Sequence, residues 1–199
     1  MIIFSKQKGF TVIELIVVIA IIGILASIVI VNVNSIREKS YVSAAGSTQR
    51  EMTEAVQLYY LDMGFYPPDV NRGWDPGLVK SQPWSPDAPS EGGFSTSGAN
   101  CAHCPSDWQQ IILSNWHGPY LSSWPQHTPW RGKYDYNYWS VETLRAESCP
   151  SRAGVYMGVE KDYDDSSGAI PPSAEVEMAR YGFDTNCPNG EAQMMLIAL

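Results

Sequence analysis

Basic side chains are scarce in this chain: 13 Lys and Arg stand against 21 Asp and Glu, giving a formal charge of -8 and a pI near 4.8. Recognition of a phosphate backbone works through clustered Lys and Arg, so nucleic acid is excluded as a partner, and DNA uptake by a basic surface with it. Catalytic motifs are lacking as well. There is no nucleophile elbow, phosphate loop or His-Glu-x-x-His pair, and the three His fall in Pro- and Trp-rich stretches with no acid or nucleophile beside them. An enzyme is therefore not expected. Internal repeats and a disordered tail are also absent. With 199 residues, 44% hydrophobic and 17% charged, the chain suits one modest globular domain with an attached element rather than two large domains.

The attached element is the long apolar run near the N-terminus. Lys6 and Lys8 precede residues 15–31, which are interrupted only by small residues such as Gly23, Ala26 and Ser27. Counted over residues 10–33, the run reaches the roughly 20 residues with which a helix crosses a bilayer, so it is expected to span one. Both lysines lie on its N-terminal side, which places residues 1–9 in the cytoplasm and the remainder outside. No small-residue cleavage box closes the run, so the helix is expected to be kept rather than removed as a secretory signal. Glu14 breaks the apolar pattern, and an ionised carboxylate costs about 2.5 kcal/mol or more at the centre of such a helix. Cleavage between Gly9 and Phe10 would create an α-amino group one helical turn from Glu14. In a bundle of such helices, Glu14 of one subunit would pair with the Phe10 amine of its neighbour and set the axial register. The alternative is an ordinary single-pass anchor with Glu14 at the headgroup level.

The segment Lys8-Gly9-Phe10-Thr11-Val12-Ile13-Glu14-Leu15 resembles the prepilin peptidase and N-methylation motif of type IV pilins and type II secretion pseudopilins, with Val12 where the motif usually has Leu. The resemblance implies a leader removed after Gly9 by a prepilin peptidase that also methylates the amine of Phe10. It further implies an inner-membrane assembly platform and a helical filament of identical subunits. The match is strong over residues 5–66 and patchy beyond.

After residue 31 the sequence turns amphipathic, and Ile36, Ser40, Ala44, Thr48, Met52, Ala55, Tyr59 and Met63 recur at helical spacing. One helix over residues 10–63 follows, ended by Gly64 as a left-handed cap, with Pro67-Pro68 forbidding continuation. Asn32, Asn34 and Gly23 mark where it can bend. Residues 65–133 read as a Pro- and Trp-rich loop region with a short helix over residues 106–115 capped by Ser106. Within it, Gly118-Pro119-Tyr120-Leu121 and the stretch from Thr128 to Tyr136 resemble the lead into the sheet of major pseudopilins, with Thr128 where those often carry Asp. Tyr134, Tyr136 and Tyr138 alternate with Asp135, Asn137 and Trp139 as in a two-faced strand. Further strands are expected over residues 153–159 and 192–199. The expected fold is α+β and pilin-like: a long N-terminal helix, its first half (10–33) transmembrane and its second (34–64) amphipathic, packed on a small antiparallel sheet in a head over residues 134–199.

Four cysteines outside a membrane favour two disulfides over free thiols. Cys149 with Cys187 would staple the C-terminal region, and Cys101 with Cys104 would close a small loop. Cys101-Ala102-His103-Cys104 also has the spacing of a zinc half-site, with His117 and His127 following, but no second strong ligand pair. Thioredoxin-like chemistry lacks a βαβ context. The acidic loop with Asp162, Asp164 and Asp165, joined by Asp184, offers the hard oxygens calcium prefers, and the resemblance adds weight because major pseudopilins bind calcium in a C-terminal loop. Its rival is a plainly solvated loop. Seven Trp and eleven Tyr are core and loop filling or a surface-binding face.

The expected function is a structural subunit of a type IV pilus-like extracellular filament. Its rivals are a major pseudopilin with a periplasmic filament and a membrane-tethered surface-binding module.

Overall fold

The computed structural model describes residues 9–70, 72–81, 101, 103–139, 143–144, 150–162, 167–185 and 189–198, without the side chains of 28–32, 143–144, 150–151 and 198. The chain divides into two compact units, Met1–Ser40 and Tyr41–Leu199. Helix α1, Val12–Met63, contributes to both.

In the first unit every described side chain of residues 9–27 is exposed, Phe10 at 91%. Among the described residues, no helix is long and apolar enough to cross a membrane. The expected span over residues 10–33 includes residues 28–32, whose side chains lie outside the described ones.

The second unit is the α+β head. From residue 42 onward α1 buries Val42, Ala45, Gln49, Met52, Val56, Tyr59 and Met63 at steps of three and four, the period of one helical face. The expected stripe is thus right from Met52 onward and displaced before it: Ile36, Ser40 and Ala44 are exposed. The buried face there includes Gln49, which apolar spacing does not mark and whose Nε2 donates to the carbonyls of Met157 at 2.9 Å and Phe183 at 3.3 Å. At Gly46 the Phe183 ring lies so close that a Cβ would collide with it. Gly64 ends α1 at φ +77, donating to the Tyr60 carbonyl at 2.8 Å, a conformation that glycine adopts without a Cβ penalty.

Helix α2, Trp108–Asn115, follows. Asp107 rather than Ser106 occupies its N-cap position, and no side chain caps it. Strand β1, Lys133–Trp139, is antiparallel to β4, Gly154–Glu160, which pairs in turn with β5, Ala192–Ala198, in the order β1-β4-β5. Two elements were not expected from the sequence. One is the short ladder of β2, Thr143–Leu144, and β3, Pro150–Ser151. The other is helix α3, Pro172–Arg180, where Pro172 takes a first-turn position that needs no backbone N–H.

Tyr134, Tyr136, Val155, Met157, Val159 and Ala192 join the α1 residues in one core. The helix is therefore packed on the three-stranded sheet. Alternation sends Asp135, Glu160 and Gln193 to the opposite sheet face, all buried.

Candidate functional site

The residues singled out for processing and assembly lie at the start of α1 and just before it. Gly9, Phe10 and Thr11 precede the helix and are exposed. Glu14 Oε2 accepts the Thr11 backbone N–H at 2.8 Å, and Thr11 Oγ1 accepts the Glu14 N–H at 3.2 Å. This is a reciprocal capping box, in which two N–H groups without helical partners are satisfied by side chains three residues apart. The Thr-x-x-Glu pattern was present in the sequence and carries this arrangement. Glu14 thus has a local role before any partner is considered. Its negative charge also sits at the positive end of the helix dipole.

Cys101 and Cys104 are joined by a disulfide with a Cα separation of 5.2 Å. His103, half-buried between them, stacks on Tyr138 at 3.4 Å between ring centroids, and its Nε2 lies 3.1 Å from the Tyr66 carbonyl oxygen. Burial lowers its pKa, opposed by the carbonyls of Tyr66 and Pro67. Cys101, His103 and Cys104 form a group of ligand type, which neither His117 nor His127 joins. His117 instead stands 3.5 Å from Asp62, which also accepts the Tyr120 hydroxyl at 2.7 Å. Cys149 and Cys187 lie outside the described residues.

Of the acidic residues considered for calcium, Asp164 and Asp165 lie outside the described residues. Asp162 pairs with Lys133 at 3.5 Å, and Asp184 accepts the Gln193 backbone N–H at 2.9 Å. The larger charged cluster is elsewhere. Arg72 ion-pairs with Glu160, reaches Glu191 at 2.9 Å and donates to the Lys161 carbonyl at 2.8 Å. Gln193 donates to the same Glu160 carboxylate. Burial raises the pKa of Asp135 well above the usual value, with the Glu160 charge adding to it and Arg72 opposing. Burial likewise pushes Asp69 up to about 7, against the backbone N–H groups of Tyr138 and Val70. Sequence reading missed this cluster because its members come from segments far apart in the chain.

The family model for the prokaryotic N-terminal methylation motif matches residues 4–30. The chain is 44% identical over 69 residues to the type II secretion system core protein G of Escherichia coli (strain K12), covering 35% of this chain and 47% of that protein. It is 42% identical over 65 residues to the type IV major pilin protein PilE of Neisseria gonorrhoeae, covering 33% and 39%. A third relative, the type II secretion system core protein G of Aeromonas hydrophila, is 37% identical over 91 residues, covering 45% and 62%. The chain thus spans less than two thirds of the length of each. No solved structure matches.

Proposed function

Taking the chain as a member of the type IV pilin and pseudopilin family, on its methylation motif and these relatives, we propose that it is a structural subunit of a pilus-like extracellular filament. The observation that carries this reading is the motif itself, placed where Gly9 and Phe10 lie exposed just ahead of α1 and Glu14 occupies its first turn. In this proposal a prepilin peptidase cuts after Gly9 and methylates the Phe10 amine. Before the cut, the subunit is a single-pass protein of the inner membrane with its head outside, inserted by residues 10–33. After the cut it enters a homopolymeric filament through an inner-membrane assembly platform.

The chemistry follows from the new terminus. A freed α-amine has a pKa of about 7.7–8.0 and is mostly protonated at neutral pH. Packed among apolar helices, an unpaired Glu14 carboxylate is costly, and the Phe10 ammonium of a neighbouring subunit compensates it. The Thr11 N–H stabilises that carboxylate by a hydrogen bond but leaves its charge in place.

Shearing cells and sequencing the main fibre protein tests the proposal. Fibres whose subunit begins at methylated Phe10 support it, while absence of fibres together with an intact Met1 sinks it. Glu14→Ala should leave the protein in the membrane and abolish fibres, whereas a tethered binding module would keep its function. The names of the relatives support a second reading equally, a pseudopilin of a type II secretion system. It predicts periplasmic filaments and a secretion defect on deletion instead of surface fibres. Calcium at the acidic loop belongs to the same set of proposals: a chelator that lowers the Tm supports it, and no shift removes it.

A further inference from the structure

The donor atoms of Cys101, His103 and Cys104 all lie within 4.8 Å of one another. Two of the three are tied up in a disulfide whose sequence separation is only 3. A loop this short restricts the unfolded chain least, so the bridge is a weak staple. The third donor is held in a defined orientation. The His103 ring lies flat on Tyr138, with 12° between the planes. Its Nε2 lies 3.1 Å from the Tyr66 carbonyl oxygen and 3.4 Å from Cys101 Sγ. Nδ1 is 3.9 Å from Cys101 Sγ.

Zn–S and Zn–N bonds of about 2.3 and 2.0 Å at a tetrahedral angle set sulfur and nitrogen about 3.5 Å apart. The separations of 3.4 Å and 3.9 Å between Cys101 Sγ and the two ring nitrogens bracket that edge.

We propose that reduction of the Cys101–Cys104 bridge converts this loop into a site for a thiolate-preferring divalent cation of the zinc type, held by both sulfurs and the His103 imidazole. An external dithiol supplies two electrons and two protons to the bridge and is itself oxidised to a cyclic disulfide. The cation then binds two thiolates and the neutral imidazole, releasing the two thiol protons to solvent, and water takes the fourth position. All three ligand residues are half-buried, open enough for reductant and metal to enter. The bridge and the metal exclude one another, because a sulfur bonded to sulfur is no longer a thiolate.

The test uses the full chain, reduced with a dithiol and desalted without oxygen. It is titrated with Co(II), whose thiolate charge-transfer band reports sulfur ligation, and with Zn(II) against a chromophoric chelator. The reduced chain should take up one equivalent more than the oxidised chain. C101S/C104S, which keeps Cys149 and Cys187, should lose that equivalent. H103A and H103Q should bind at least about tenfold more weakly with an unchanged far-UV CD spectrum. Equal uptake by the reduced chain and C101S/C104S overturns the proposal, as does unchanged affinity in both His103 variants.

Discussion

Arg72 is placed against Glu160 and Glu191, with Asp135 and Asp69 adding to the field around Glu160. Removing one partner of a buried ion pair leaves the other uncompensated, at a cost of about 3–5 kcal/mol. Arg72→Met should therefore lower the denaturation midpoint of the head sharply, and part of the loss should return on acidification as the stranded carboxyls protonate. A midpoint that is unchanged and insensitive to pH would show that the cluster is solvated in solution. At Gly46 the argument is steric instead. Phe183 is buried against the helix there, and the Arg50 guanidinium covers its ring at 4.7 Å. Gly46→Ala should cost about 1–3 kcal/mol by overpacking, despite alanine's better helix propensity, as read from urea unfolding.

For α1, the capping box at Thr11 and Glu14 makes a local prediction. Replacing both, as Thr11→Val with Glu14→Ala, should loosen the first turn, seen as faster amide exchange at residues 12–14 in micelles while residues 42–63 keep their protection. Uniform loss of protection along the helix would contradict a purely local cap. The elements differ in how far the sequence discloses them. Alternating Tyr134, Tyr136 and Tyr138 announce β1 because that strand has one face on the core. β4 reads as a plain apolar run, since all its residues are buried. Helix α3 was hidden by Pro171-Pro172, which look like a loop although a proline is acceptable in a first helical turn. Glu175 on that helix looks solvated in sequence, yet it is buried and accepts the N–H groups of Asn189 at 2.7 Å and Gly190 at 3.1 Å. The capping box was readable from four consecutive residues. The Arg72 cluster was not, because pairings between distant segments leave no local pattern.

At the scale of the whole molecule, buried carboxyls couple stability to pH. Burial holds Asp69 at about 7 and Asp135 well above its ordinary value, so the native head binds protons that the unfolded chain has released. The contribution of Asp69 is complete below the unfolded carboxyl range, near pH 4, and is lost as pH rises through about 7, and that of Asp135 has the same sign. Burial also raises Glu175, with the same sign. The Tm should therefore fall between about pH 4 and about pH 8, by about 2–4 °C for each kcal/mol lost. A Tm that climbs over this interval would show that Asp69 and Asp135 ionise normally. Because Thr11 caps α1, the helix starts at Val12 and the Gly9–Phe10 bond lies just outside it. A peptide bond within a helix has its carbonyl committed and its backbone wound away from any cleft, whereas one before the cap is free to lie extended against a second protein. On the proposed reading, Thr11 and Glu14 act as a ruler, and the carboxylate that later needs an amine first marks the place where that amine is made.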